Sequence, residues 1–217
     1  MNSRVTTYVL SIALLFALLV LAHRVSGIRL AGDQTGYEPA QPIAFSHRLH
    51  AGELEIGCLY CHSGAERSRH AGVPAAKVCM NCHTFVTASL GALRAEDELA
   101  KKENRKPRLI ISPELAKLYD ALGLDEQRKP DPEKRPRPIE WVRVHNLPDF
   151  VYFDHRPHVY AGVRCQRCHG PVETMERVRQ VESLNMGWCV NCHREVNRTG
   201  VNGKPVHASI DCSVCHY

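Results

Sequence analysis

The stretch that decides the fold is Phe153-Asp154-His155-Arg156-Pro157-His158-Val159-Tyr160-Ala161-Gly162-Val163-Arg164-Cys165-Gln166-Arg167-Cys168-His169. It holds a Phe-x-His-x-x-His lead-in and then Cys-x-x-Cys-His. A second lead-in of the same length, Phe45-Ser46-His47-Arg48-Leu49-His50, precedes Cys58-Leu59-Tyr60-Cys61-His62. Each half then adds a second motif, Cys79-Met80-Asn81-Cys82-His83 and Cys189-Val190-Asn191-Cys192-His193. A fifth follows at Cys212-Ser213-Val214-Cys215-His216. All 10 cysteines are used, so none remains for a disulfide or a nucleophile. The chain is an internal repeat of two modules with one motif added.

Cys-x-x-Cys-His is the attachment signature of haem c. Each sulfur forms a thioether to one vinyl group of the porphyrin, and two intervening residues let both reach one macrocycle. The next histidine then lies under the iron as proximal ligand. The rival is zinc, whose cysteine and histidine sites look similar singly. Five pairs of five carrying the histidine at one place point to haem. The expectation is five haem c groups on Cys58, Cys61, Cys79, Cys82, Cys165, Cys168, Cys189, Cys192, Cys212 and Cys215. Their proximal ligands are His62, His83, His169, His193 and His216.

Only 6% of the 217 residues are aromatic, too few for an ordinary core of this size. Five porphyrins would supply the missing apolar surface. The formal charge is +5. Ionised propionates on oxidised haems bring the holoprotein near neutrality, so the basic residues are read as propionate partners, not as a nucleic-acid surface.

Val5 to Ala22 is apolar and uncharged, between Arg4 and Arg24. Its length suits a single membrane crossing. A cleaved signal peptide is the alternative, with Val20 and Ala22 as small-residue site. The stretch exceeds a usual signal core and Arg24 follows at once, which favours an anchor. Haem c is attached outside the cytoplasm, so the rest faces the periplasmic side of the inner membrane.

Four segments are expected: an anchor over 1–27, a two-haem module over 28–85, a haem-free insert over 86–140 and a three-haem module over 141–217. The insert should hold a helix around Leu93 to Lys102. A second is signalled by Ser112 as cap, Pro113 in the first turn and Leu115, Leu118, Tyr119 and Leu122 at helical spacing, with Gly123 as stop. The run from Arg128 to Pro138 reads as an extended linker. Fold class is short α-helices and loops wrapped around haems, one N-terminal transmembrane helix and little β.

Eight histidines lie outside the motifs, of which His23 at the membrane boundary is a poor ligand. The duplicated pairs suggest that His47 and His155 are distal ligands at Cys58 and Cys165. His50 and His158 would serve Cys79 and Cys189. His70 and His145 compete for the remaining iron, with Met186 as alternative and Met175 behind it; a methionine would raise that haem's potential. With so many distal candidates, electron transfer is favoured over reduction of a small nitrogen compound, which needs an open iron. A free periplasmic shuttle is a third reading.

The Phe-x-His-x-x-His lead-in resembles class III multihaem cytochromes c. Phe45 to Leu54, His70-Ala71-Gly72-Val73-Pro74, Cys79 to His83, Ser112 to Leu115, Trp141 to Asp149 and Met186-Gly187-Trp188-Cys189 are similar to the pentahaem subunit (ActA) of alternative complex III. The resemblance implies an electron conduit without a catalytic site of its own, in a quinol-oxidising respiratory complex. Its expected partners are an iron–sulfur subunit, polytopic membrane subunits, a mono-haem cytochrome and a downstream acceptor, a soluble carrier or terminal oxidase.

Overall fold

The computed structural model describes residues 3–26 and 34–216; the boundary expected near residue 27 lies outside them. The described residues form helices, turns and loops, with three isolated bridges and no strand. Helix α1 (Ser3–Ser26) carries a 19-residue span from Arg4 to Ala22 of mean hydropathy 2.5, none of it buried. It is long and apolar enough to cross a membrane, a test that signal sequences also pass.

The haem motifs form short helices: α2 (Cys58–Cys61), then α4 (Ala76–His83), α8 (Gln166–His169), α9 (Met186–Thr199) and α10 (Cys212–Cys215). Between α2 and α4 lies α3 (Gly64–Arg67). Each lead-in starts a turn on a capping side chain. Asp154 accepts from the amide of Arg156 and opens α7 (His155–Tyr160). Ser46 accepts from Leu49 at 3.0 Å before a π-helical turn, Arg48–Glu53. Such caps satisfy amides that the first turn leaves without partners.

The insert holds α5 (Leu90–Lys102) and α6 (Pro113–Ala121). Helix α5 begins three residues before Leu93 because Ser89 caps it, accepting from Ala92 at 3.3 Å. Helix α6 has Ser112 as cap, Pro113 in its first turn and Gly123 just beyond, at φ +68°. Glu96 on α5, its side chain 10% exposed, pairs with Arg105 at 2.5 Å and accepts from the amide of Arg108 at 2.7 Å. The proline-rich run is exposed and folds back on α6: Arg137 donates its amide to Ala121 and its guanidinium to Asp120.

The halves are stitched at two places. The π-helical turn packs on a 3-10 turn, Val172–Thr174. There a Cβ on Gly52 would lie 2.3 Å from the Glu173 carbonyl oxygen, so only glycine allows the approach. Helix α3 packs on α7, where Arg69 donates to the carbonyl of Phe153 at 3.1 Å and lies 4.3 Å over the Tyr152 ring. The core is sparse. Among the described residues the buried apolar side chains are Ala65, Ala88, Ala100, Leu118, Tyr119, Ala121, Val144 and Met175. The large ones on helices, Leu118 and Tyr119, belong to the insert.

Candidate haem-binding sites

Four histidine pairs face each other. His47 and His62 have ring centroids 6.4 Å apart and planes within 5°. His155 and His169 repeat this at 6.4 Å and 7°. His50 stands 6.1 Å from His83, and His158 stands 6.0 Å from His193. In each lead-in the phenylalanine packs edge-on against the first histidine, at 4.9 Å in both halves.

The spacing has a simple physical meaning. Imidazole centroids in van der Waals stacking would be closer. A metal–imidazole bond is about 2 Å, and the ring nitrogen lies about 1.1 Å from its centroid, so two imidazoles sharing one metal have centroids about 6.2 Å apart. All four pairs leave room for one iron.

The outer hydrogen bonds fix which nitrogen is free. A carbonyl can only accept, so an Nδ1 bonded to one carries the hydrogen. His62 donates from Nδ1 to Gly72 at 2.7 Å, His83 to Val86 at 2.8 Å and His193 to Ser209 at 2.5 Å. His50 donates to Ser46, His158 to Asp154, and His155 to Arg69 at 2.9 Å. Six of the eight rings are thereby held with Nε2 bearing the lone pair, the support that metal-binding histidines use. The Nδ1 of His47 is buried without a partner.

Burial also favours the neutral form of three of these rings. Burial, then the fields of His62 and His50, lowers His47 to about 4. Burial, then His145, His155 and His62, lowers His169 to about 3. Burial also lowers His158. Neutral imidazole is the ligating form.

No two of the cysteines are joined in a disulfide, and burial is the main cause of every thiol shift that follows. Burial and then neighbouring thiols raise Cys79 beside Cys61, Cys165 beside Cys58, and Cys189 beside Cys215. Cys168 rises to about 11 through burial and then Cys192 and Cys189. The motifs therefore lie in the order 79, 58, 165, 189, 212, with the first half running backwards. Hydrogen bonds follow the same order. Asn81 donates to the Tyr60 hydroxyl, Tyr160 to the Glu66 carbonyl, Arg167 to Glu195 and Asn197 to the Ala208 carbonyl. Among the described residues no three His, Cys, Asp or Glu side chains converge as a zinc site would require.

The other candidates lie as follows. His145 meets His169 edge-on at 4.3 Å, too close for a metal between them, with its Nε2 buried and without a partner. His70 follows Arg69, whose carbonyl holds His155. Met186 opens α9 and is 70% exposed; Met175 is buried. The side chain of His23 lies outside the described residues. His216 has a different neighbour, Phe150, at 5.8 Å and 28°.

Sequence reasoning missed Arg69, whose carbonyl is what matters and leaves no side-chain signal. It also missed Phe150. Its signal was a break in the repeat, because the 108-residue offset that joins Phe153 to Phe45 joins Phe150 to Pro42.

Comparison with known proteins agrees. Residues 151–217 match a family described as cytochrome c7 and related cytochrome c. The chain is 24% identical over 196 residues to the multihaem cytochrome c subunit of a menaquinone reductase from Nitratidesulfovibrio vulgaris, covering 81% of this chain and 76% of that one. Attachment motifs, metal-spaced imidazoles and both likenesses agree on a multihaem cytochrome c with a part in electron transfer, similar to a menaquinone reductase subunit.

Proposed function

We propose that this chain binds five haems c, at the five cysteine pairs, and serves as a membrane-anchored electron conduit in a quinol-oxidising respiratory complex like alternative complex III. The observation that carries the reading is the set of four imidazole pairs at metal spacing, on motifs that follow one another in space. Haem c exchanges single electrons between ferric and ferrous iron and makes no bond to a substrate.

The chain's own residues do the rest. The cysteines tether each macrocycle. His62, His83, His169 and His193, paired in turn with His47, His50, His155 and His158, would hold four of the irons. The carbonyls of Gly72, Val86, Ser209, Ser46, Asp154 and Arg69 fix ring orientation and strengthen the ligands. Two strong ligands on each of those four irons would give low-spin centres, which suit transfer rather than catalysis. Helix α1 holds the assembly at the inner membrane with the haem domain on the periplasmic side. The partners are an iron–sulfur subunit, polytopic membrane subunits, a mono-haem cytochrome and a downstream carrier or oxidase.

The name of the relative favours a second reading of direction, in which electrons run toward a menaquinone. Both readings share the conduit and differ in its ends. The test is purification in mild detergent, with haem staining, intact mass and identification of copurifying chains. Five haem masses, an uncleaved N-terminus and partner subunits are expected. Bare polypeptide refutes the haem assignment, a processed N-terminus refutes the anchor, and a lone monomer refutes the complex. Adding menaquinol to the oxidised complex then separates the directions.

A further inference from the structure

His216 departs from the pattern of the other four motif histidines. Each of those has an imidazole across from it at 6.0 to 6.4 Å. The ring found at nearly that range from His216 is Phe150, at 5.8 Å and 28°. A phenyl ring has no lone pair to give a metal.

Two of the candidate histidines lie beside other motifs. His145 lies edge-on against His169 at 4.3 Å. His70 lies beside Arg69, at the α3–α7 junction that belongs to the Cys58 and Cys165 motifs. His216 is itself fixed in place. Val151, next to Phe150, forms a backbone bridge with it, and the amide of Tyr152 donates to the Cys215 carbonyl at 2.8 Å. The segment that carries Phe150 is thus pinned to the segment that carries the motif.

We infer that the iron tethered at Cys212 and Cys215 has no imidazole on its distal side and is a binding site for a small neutral diatomic molecule, walled by Phe150. The inference rests on the reading that all five motifs carry haem. An apolar wall decides the ligand class. It offers no hydrogen-bond donor to an anion such as cyanide or fluoride, and the polarity of the distal side sets which ligand an open iron prefers. Carbon monoxide and nitric oxide, neutral and apolar, match that wall.

The test uses the purified, fully loaded protein. Intact mass first counts haems, and fewer than five refutes the underlying reading on its own. With five present, electron paramagnetic resonance of the oxidised protein should show one high-spin ferric centre beside four low-spin ones. Carbon monoxide titrated into the reduced protein should bind at one equivalent per chain. Phe150→His should supply the missing ligand, abolishing both the high-spin signal and carbon monoxide binding. Five low-spin centres with no carbon monoxide uptake would overturn the inference. So would a sulfur-to-iron charge-transfer band in the native protein that disappears in Met186→Leu.

Discussion

Removing Arg69 should loosen the seam between the two halves while leaving the ligands in place. Its Nε donates to the Phe153 carbonyl at 3.1 Å and a second nitrogen reaches the Val151 carbonyl at 3.5 Å. The guanidinium lies 4.3 Å over Tyr152. A hydrogen bond from a charged group contributes about 1.5–3 kcal/mol, and a partly exposed cation–π contact about 0.5–1 kcal/mol. The longer bond adds little. Arg69→Ala should therefore cost about 3 kcal/mol, or roughly 6–12 °C in Tm for a chain of this size. The carbonyl that holds Nδ1 of His155 is backbone and survives the substitution. Low-spin spectra at room temperature should be unchanged. Arg69→Lys keeps a cation over Tyr152 but loses the planar donor, and should fall about halfway. The assay is thermal melting of the holoprotein, followed by Soret absorbance and far-ultraviolet circular dichroism. An Arg69→Ala protein melting within about 2 °C of native would refute the reasoning, because no part of that seam could then carry the assigned energy.

Two further outcomes follow from the insert and the core. The Glu96 carboxyl is lowered from 4.5 to about 2, first by the hydrogen bond from Arg105 and then by the amide of Arg108. A depressed carboxyl stabilises the fold above its unfolded value and loses that contribution as pH falls from about 4.5 toward 2. The gap in Tm between native and Glu96→Gln should be widest at neutral pH and shrink through that window; a constant gap would rule the pairing out. Serine at all ten cysteines should give a chain without a cooperative melt, since porphyrin burial is part of its stability. A protease-resistant, haem-free fold would contradict this.

Local features were legible in the sequence, and long-range ones were not. Ser112, Pro113 and Glu114 announce α6 because capping is decided within one turn. The start of α5 was read late because Ser89 precedes the apolar pattern it caps. Helix α1 was plain from the uncharged run. The backward order of the first half depends on Gly52 against Glu173 and Arg69 against Phe153, contacts more than 80 residues apart in sequence. No periodicity encodes them. The same holds for His145, whose place beside His169 follows from the path of the 141–150 loop.

The internal repeat also explains where polarity in such a conduit must come from. Two equal halves meeting at Cys58 and Cys165 would give a path with matched ends and no preferred direction. The lead-in geometry agrees between the halves to 0.1 Å in the first histidine pair and the Phe–His contact, so the middle of the path adds little asymmetry. What differs lies at the ends. Beyond Cys79 the insert closes over the module: Tyr119 donates to the His83 carbonyl at 2.7 Å and Arg128 to the Thr84 carbonyl at 2.6 Å. Beyond Cys189 the chain adds another motif instead, with Phe150 across from its histidine. Covering one end lowers local polarity and solvent access there, while His216 faces a different environment from every other motif histidine. Both are levers on iron potential. Under the conduit reading, direction is therefore written in the insert and the fifth motif, the two segments that the repeat does not contain.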